Sequence, residues 1–397
     1  MKKLFTLVAS MMMAMSSMAA ETVLLEGFTL DSWGASKTFT SSDAKKGDFI
    51  KIVVDEAPSG CQLILKNTSY GDVLPGAVDP VENKVIYYRV TDDILNLLQG
   101  GGLMFQGNGG VQVGQVSLLP SEDLEKIVAY EGPGEIKSAW GSVTVSKANF
   151  NFVKEGDIVV IETTNNTETP KGENFLFKKD GYGDAAHIYD LINPWCISLT
   201  DEWATGYFGE KDNNIQAAKS GIIVNSVDIY RLKENVPSKK TVLTDTPTEL
   251  GNFSGSVIIA ADNFADAKVG DEIRVELTNQ VKTTSYDAQI KFATNADGWP
   301  LLNDDVNCLN IPTVPVFVYA IPDAETLSTL KATGLIIQGK NATVNSVSLY
   351  TSDAPTGISN ATVAPAAKSS KIYNLAGQQV DASYKGVVIK NGKKYVQ

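Results

Sequence analysis

Three segments of the chain repeat one pattern: "AKKGDFIKIVV" at 44–54, "VKEGDIVVIET" at 153–163 and "AKVGDEIRVEL" at 267–277. In each, a Gly-Asp pair precedes a run with apolar residues at alternate positions, as in a half-buried antiparallel strand. The pairs begin at Gly47, Gly156 and Gly270, which lie 109 and 114 residues apart. A period near 110 residues matches one small domain, whereas solenoids and propellers repeat every 20 to 50 residues or so. The sequence therefore predicts three tandem domains.

The third copy shows the elements of one domain most clearly. Strand-like alternation recurs in "GSVIIAADNF", "GDEIRVELTN" and "VPVFVYAI", and a closing strand "VNSVSLY" ends at Tyr350. One helix is predicted in "IPDAETLSTLKATG", where Pro322 suits the first turn, Asp323 and Glu325 complement the helix dipole, and Gly334 ends the helix. About eight short strands and one short helix in roughly 105 residues predict an antiparallel jelly roll.

The other two copies repeat this order with one exception. Copy one has a capped helix signal, "VTDDILNLLQGG", and then "GLMFQG" at 102–107, which nearly matches "GLIIQG" at 334–339. Copy two keeps the capped start, "LTDEWATG", but "YFGEKDNNIQAAKSG" at 207–221 stands in place of the next strand. We expect copy two to be the divergent one.

The predicted fold class is all-β: three tandem antiparallel β-sandwich (jelly-roll) domains, each with one short helix, plus a small C-terminal β-tail. Short polar segments predict the first boundaries, and a stretch rich in Ala, Pro, Ser and Thr predicts a mobile linker. The predicted segments are a signal peptide at 1–20, sandwiches at 21–120, 126–234 and 240–351, a flexible linker at 352–370, and the tail at 371–397.

The ends and the charge of the chain restrict its location and its partners. Lys2 and Lys3, an apolar stretch and small residues near Ala19 predict a cleaved secretory signal, and no later apolar run is long enough for a transmembrane helix. We expect a secreted or outer-surface protein, with the periplasm as the alternative. The net charge of −12 argues against nucleic acid and anionic membranes as partners.

Residues suited to catalysis or metal binding are scarce. The chain has one histidine, His187, and three scattered cysteines: Cys61, Cys196 and Cys308. This set provides neither zinc-site spacing nor a Ser-His triad. The acids that recur across the copies belong to the Gly-Asp pairs, where we interpret them as caps of a turn. We expect a non-catalytic protein without a cofactor; calcium at the acidic clusters 303–305 or 212–214 lacks the spacing of a known calcium loop.

Aromatic and amide side chains are the best candidates for a binding site. Tyr70, Tyr182 and Trp299 occupy one equivalent position in Gly/Asn/Asp turns, where a ring stacks on a sugar or else covers the end of its own sandwich. Four further candidates are Trp195 and Trp203 beside the helix cap of copy two, and Gln106 and Gln338 in the repeated "QG". The two glutamines have the alternative of strand-end hydrogen bonds. A second recurring aromatic position is interpreted as core: Trp33, Trp140 and Phe253.

The final residues, "KIYNLAGQQVDASYKGVVIKNGKKYVQ" at 371–397, resemble the C-terminal tails of exported Bacteroides and Prevotella proteins. The tail is similar to a shortened type nine secretion sorting domain. That resemblance implies export, and it implies attachment to the cell envelope as a further expectation.

The repeats, with "GLIIQGKNATVNSVSLY" at 334–350 as the best signature, resemble the jelly-roll modules appended to glycoside hydrolases in such bacteria. Those modules are similar to galactose-binding-like carbohydrate-binding modules. The resemblance implies a secreted or surface protein whose partner is a polysaccharide or glycan. The alternative is a structural or adhesive surface protein whose sandwiches act as spacers or bind a host protein.

Overall fold

The computed structural model describes most of the chain after the predicted signal peptide. The described residues are 21–73, 84–165, 175–179, 184–188, 193–199, 208, 212–279, 288–303, 306–307, 309–311, 314–352, 372–374, 379–380, 387–390 and 393–396. They belong to two compact units, one within Met1–Asp353 and one within Ala354–Gln397. The predicted signal peptide at 1–20, the predicted linker at 352–370 except Ser352, and the predicted helical segment of copy two at 199–206 except Leu199 lie outside the described residues.

Copy one consists of seven described strands and one helix. They are β1 Thr22–Leu30, β2 Ser36–Phe39, β3 Phe49–Glu56, β4 Gln62–Asn67, β5 Val85–Arg89, helix α1 Asp92–Asn96 with a π-helical end Leu97–Gly101, β6 Leu103–Asn108 and β7 Val111–Leu119.

Copy two has eight described strands and begins with a short 3-10 turn. Its elements are the turn Ser121–Asp123, β8 Leu124–Ile136, β9 Ser142–Val145, a 3-10 helix Lys147–Phe150, β10 Ile158–Asn165, β11 Phe175–Lys179, β12 Asp184–Ile188, β13 Trp195–Ser198, β14 Asn213–Ala217 and β15 Ile222–Leu232.

Copy three has nine described strands and the longest helix described. Its elements are a 3-10 turn Lys233–Asn235, β16 Lys239–Thr244, β17 Thr248–Glu249, β18 Val257–Ile259, a 3-10 helix Ala261–Phe264, β19 Glu272–Asn279, β20 Gln289–Thr294, β21 Leu309–Asn310, β22 Val316–Ala320, α2 Ala324–Thr333, β23 Leu335–Lys340 and β24 Ala342–Thr351.

Every copy is built from two antiparallel sheets. The sheet that contains the Gly-Asp strand, here called the first sheet, has the order β1-β7-β3-β5, β8-β15-β10-β13 or β16-β24-β19-β22. The second sheet has the order β2-β6-β4, β9-β14-β11-β12 or β18-β23-β20-β21. In copies two and three, the chain passes between the two sheets in jelly-roll order, with one hairpin, β11–β12 or β20–β21, inside the second sheet. The predicted all-β sandwich class is confirmed, and the C-terminal unit is a sheet of β25 Ile372–Asn374, β26 Gln379–Val380, β27 Val387–Lys390 and β28 Lys393–Val396.

The Gly-Asp pair shapes the turn into the first sheet. Gly47, Gly156 and Gly270 have φ of 95°, 90° and 89°, a left-handed conformation that favours glycine. The following carboxylate accepts the backbone N–H of the lysine three residues earlier, at 2.8 Å for Asp48, 3.1 Å for Asp157 and 2.8 Å for Asp271. The interpretation of these acids as turn caps is therefore confirmed.

The same carboxylates also hold the residues that leave the closing strand. The backbone N–H of Ser121 donates to Asp48 at 2.9 Å, and that of Ser352 donates to Asp271. In copy two, the guanidinium of Arg231 donates to Asp157. Each Gly-Asp carboxylate thus connects the turn before the Gly-Asp strand to the end of the closing strand of the same copy.

Each sandwich encloses a hydrophobic core of its own, and further apolar contacts join the copies. A pair of packed phenylalanine rings lies in each core: Phe39 with Phe105, Phe150 with Phe208, and Phe292 with Phe317. A fourth cluster lies between the first sheets of copies one and two, where the rings of Phe49 and Tyr230 approach to 5.1 Å. We call this cluster the joint between copies one and two.

Buried charges connect copy two to copy three. Arg231, 1% exposed, donates to Asp157 in its own copy and to Glu272 of copy three at 2.7 Å. Arg274 of copy three binds Glu272 at 2.6 Å and Glu125 of copy two at 2.5 Å. The first sheets supply these groups, so each sandwich uses its first sheet to contact its neighbour.

One expectation about copy two is wrong. The segment at 207–221 contains a strand, β14, and this strand occupies the place of β6 and β23 in its second sheet. Gln216 therefore corresponds to Gln106 and Gln338. The sequence similarity is hidden because Asn213 and Asn214 replace the apolar residues that begin the matching strands.

Candidate functional site

The outward face of each second sheet is the candidate site, because the first sheets are used in contacts between copies. The central strand of the second sheet alternates between core and surface. Phe105, Ile215 and Ile337 are fully buried in the three cores, so the next residue on each strand faces outward. That outward residue is a glutamine in every copy: Gln106, Gln216 and Gln338.

Tyr70 and Trp299 lie at one end of this face. Tyr70 follows β4 and is 58% exposed, and Trp299 follows β20 and is 42% exposed. In both turns the backbone N–H of the aromatic residue donates to the carbonyl oxygen three residues earlier, at 3.0 Å. The third member of this predicted set, Tyr182, lies outside the described residues.

A second aromatic position lies at the opposite end of the face, just before β2, β9 and β18. Trp33 is 38% exposed and Trp140 is 51% exposed, while Phe253 is half-buried. The prediction that this position belongs to the core is therefore wrong for the two tryptophans. Sequence reasoning missed them because a ring held at a strand start is usually packed inside, and only the turn geometry turns it outward.

The two aromatic positions bracket the central strand. In copy one, Asn67 at the Tyr70 end pairs with Leu103, while the carbonyl of Trp33 lies beside Gln106. Three residues of strand separate these points, which corresponds to roughly 10 Å. In copies one and three, an aromatic residue thus lies near each end of this face, with Gln106 or Gln338 between them, while the outward-facing Met104 and Ile336 are buried.

The backbone at these rings is strained. Tyr70, Trp140, Phe253 and Trp299 have φ of 64°, 58°, 60° and 48°. A left-handed conformation costs a residue other than glycine on the order of 1–3 kcal/mol, and such strain concentrates at functional sites. Glycine would relieve the strain, so the presence of large rings at four such positions favours a role for the rings themselves.

The three glutamines differ in what they bind. The side-chain nitrogen of Gln106 donates to the carbonyl oxygen of Trp33, and that of Gln216 donates to the carbonyl oxygen of Trp140 at 2.5 Å. For Gln106, this bond is the strand-end hydrogen bond expected as the alternative to sugar binding, and Gln216 makes the equivalent bond. Gln338 makes no such bond within the described part of the chain.

The remaining predicted site residues divide between the core and the undescribed part of the chain. Trp195 is the first residue of β13 and is 5% exposed in the core of copy two, so it is left out of the site. Trp203 lies outside the described residues. The backbone of His187, on β12, pairs with that of Leu176, at the edge of the second sheet of copy two.

The suggested calcium clusters include side chains that bind other parts of the fold. The carboxylate of Asp212 accepts the backbone N–H of Lys147 at 2.9 Å, and the amide of Asn303 donates to the hydroxyl of Tyr319 at 2.6 Å. Among the described residues, no group of three or more His, Cys, Asp or Glu is placed to hold a metal ion. Asp304 and Asp305 are not among those residues.

Large pKa shifts occur away from the candidate face. Burial raises the pKa of Tyr230, in the joint between copies one and two, to about 12, and it raises the pKa of Tyr130, in the core of copy two, to about 12. Both shifts follow from desolvation by packing, the ordinary consequence of burying a phenol.

No helix in the described part of the chain has the length and apolar character needed to cross a membrane.

No protein-family model and no curated protein matches the chain. Among solved structures, the chain is similar to SGBP-B of the mixed-linkage glucan utilization locus of Bacteroides ovatus, in complex with a mixed-linkage heptasaccharide. The match has 12% identity and a TM-score of 0.24, and it covers 81% of this chain and 71% of the other. A TM-score at this level assigns neither a fold nor a ligand to the chain.

Proposed function

We propose that this protein is a non-catalytic carbohydrate-binding protein of the cell exterior, and that its second sheets are the glycan-binding faces. The observation that carries the proposal is the exposure of the rings at both ends of these sheets. Tyr70, Trp140 and Trp299 each present about half of a large apolar surface to solvent. Aromatic rings held in this way stack on the apolar faces of sugars.

Polar groups between the rings support the same function. Ser36 and Ser142 lie opposite Gln106 and Gln216 on the neighbouring strands. The hydroxyl of Thr144 donates to the side-chain oxygen of Asn214 at 2.6 Å. Hydroxyl and amide groups both donate and accept hydrogen bonds, which is what recognition of sugar hydroxyls requires.

The test is affinity electrophoresis of the purified protein in gels that contain plant or host polysaccharides. We expect at least one polysaccharide to retard the protein. Replacing Tyr70, Trp140 and Trp299 together by glycine should weaken retardation about threefold to tenfold per functional site, from lost stacking of about 0.5–1.5 kcal/mol per ring. Glycine is chosen because it accepts the left-handed backbone, so the fold should persist.

The matched control is Val242→Ala, which trims an exposed apolar side chain on β16 of a first sheet. This variant should be retarded like the parent protein. Absence of retardation by any polysaccharide, or equal retardation of the parent and the triple variant, would contradict the proposal.

A structural or adhesive role is the second candidate function. It is favoured by the contacts between copies, because the Arg231–Glu272 pair and the joint between copies one and two give the array the stiffness that a spacer needs. Binding of a host protein by the chain, unaffected by the triple glycine variant, would favour this alternative.

A further inference from the structure

The outward face of the second sheet in copy three has a composition of its own. On β23, Leu335 and Ile337 point into the core, so Ile336, Gln338 and Lys340 lie on the other face of the sheet, where Gln338 and Lys340 are partly exposed and Ile336 is buried. The residues paired with them on β20 face the same way, and they are Ala293, Lys291 and Gln289. Two lysines therefore share the face that Trp299 and Phe253 bracket.

The two lysines lie close together, and neither forms an ion pair with another described residue. Lys291 is paired with Gln338 across the strands, and Lys340 is two residues further along β23. Diagonal neighbours of this kind are about 7 to 8 Å apart. Within the described part of the chain, no carboxylate forms an ion pair with Lys291 or Lys340. Asp297, in the turn of Trp299, lies at the other end of β23 from Lys340.

In copy one, the lysine on the outward face of the second sheet forms an ion pair. Lys66 occupies the place of Ala293, and its ammonium binds the carboxylate of Asp72 at 2.6 Å and the carbonyl oxygen of Tyr70 at 3.3 Å. The charge on that face is therefore neutralised within the protein. The amide of Gln106 in copy one is likewise already bonded, whereas the amide of Gln338 in copy three has no bond to another described residue.

An unpaired positive pair is unusual in a chain whose net charge is −12. Most of that negative charge acts on a ligand only weakly, because the Debye length is about 8 to 10 Å at physiological salt. Charges within hydrogen-bond reach of the ligand dominate, and among the described residues of this face those charges are the ammonium groups of Lys291 and Lys340. Ammonium groups form charge-assisted hydrogen bonds with anionic oxygen atoms.

We propose, on the basis of the glycan-binding function above, that the second sheet of copy three binds an anionic glycan. Lys291 and Lys340 pair with the negatively charged oxygen atoms of the sugar, a carboxylate or a sulfate ester. The amide of Gln338 binds a neighbouring hydroxyl, and Trp299 stacks on an adjacent ring. The corresponding face of copy one binds neutral sugars only.

The test measures affinity of the full chain for polygalacturonate, for the same polymer after reduction of its carboxylates, for a sulfated polysaccharide and for a neutral glucan. The key variant is the double substitution Lys291→Gln and Lys340→Gln. The control is Lys239→Gln with Lys331→Gln, which removes the same charge from exposed positions on β16 and α2 of the same copy.

We expect the key variant to lose about tenfold or more in affinity for an anionic polymer, since two charge-assisted bonds are removed. The control variant should change less than about twofold, and carboxylate reduction should abolish the difference between parent and key variant. Preference for the polygalacturonate or for the sulfated polymer identifies which anion is recognised.

Three results would overturn the inference: equal losses in both variants, no preference for either anionic polymer over the reduced polymer, or binding of neutral glucan alone. The last of these would leave the carbohydrate-binding function intact. Failure of every polysaccharide to bind would remove both proposals.

Discussion

Asn213 shows how one residue of copy two departs from the pattern of the other copies. It begins β14 and faces the core, where copies one and three have Leu103 and Leu335. Its side chain is 0% exposed, and among the described residues neither its oxygen nor its nitrogen has a hydrogen-bond partner. A buried amide without partners costs about 1–3 kcal/mol for each unsatisfied group.

We therefore expect Asn213→Leu to raise the free energy of unfolding by about 1–3 kcal/mol, measured by urea denaturation. The leucine removes two unsatisfied polar atoms and adds apolar burial that the other copies tolerate at this position. The control is Asn214→Leu on the outward face, which should give no stabilisation because it removes the bond from Thr144. A loss of stability in Asn213→Leu would show that the amide has a partner that the core needs.

Residue identity alone predicted part of the candidate site. The turn position of Tyr70 and Trp299 was recognisable from the surrounding Gly, Asn and Asp residues. The exposure of Trp33 and Trp140 could not be recognised from the sequence, because the same residues at a strand start are compatible with a ring that points inward and with one that points outward. The bond from Gln216 to Trp140 was hidden because the strand that holds Gln216 does not resemble its counterparts.

At the scale of elements, Arg231 connects strands of two copies. Arg231 lies near the end of β15, and its guanidinium donates hydrogen bonds to Asp157 beside β10 and to Glu272 at the start of β19. Its guanidinium also lies 5.2 Å from the centre of the Phe152 ring. Removing one member of a buried charge group leaves the others without partners, and this usually costs about 3–5 kcal/mol.

Arg231→Met should therefore lower the free energy of unfolding by about 3–5 kcal/mol and should separate the unfolding of copy three from that of copy two. Scanning calorimetry measures both effects. The control is Lys240→Met, which breaks the exposed pair with Glu276 at 3.6 Å and should cost under about 1 kcal/mol. Equal effects of the two substitutions would mean that the buried network does not couple the copies.

At the scale of the whole molecule, the sequence predicted the all-β sandwich class but not how the copies contact one another. The class was predictable because strand alternation and turn residues are local signals. The sequence does contain a signal for the joint between copies one and two, in "DIVVIE" at 157–162. There Ile158 and Val160, on one face of the strand, are apolar as well as Val159 and Ile161 on the other. An antiparallel strand with two apolar faces needs a second surface to cover it, which here is supplied by copy one.

A fragment of residues 21–120 tests the importance of this joint. It exposes Phe49, Tyr87 and Leu119, so we expect a lower melting temperature than in residues 21–234 and a tendency to self-associate. Analytical ultracentrifugation and thermal unfolding measure both properties. The variant Phe49→Ser in the short fragment should reduce self-association. A monomeric fragment with unchanged melting temperature would show that copy one does not depend on its neighbour.

The double role of the Gly-Asp carboxylate has a consequence for how such a chain grows. Asp48, Asp157 and Asp271 each fasten the residue that leaves their own sandwich, so the connector to the next sandwich is encoded inside the repeat. A duplicated gene segment that encodes one whole copy, from its first strand to its closing strand, therefore also encodes the hydrogen bonds that hold the end of that copy. Lengthening the array by recombination then requires no new connector to evolve, only an outer surface that fits its new neighbour.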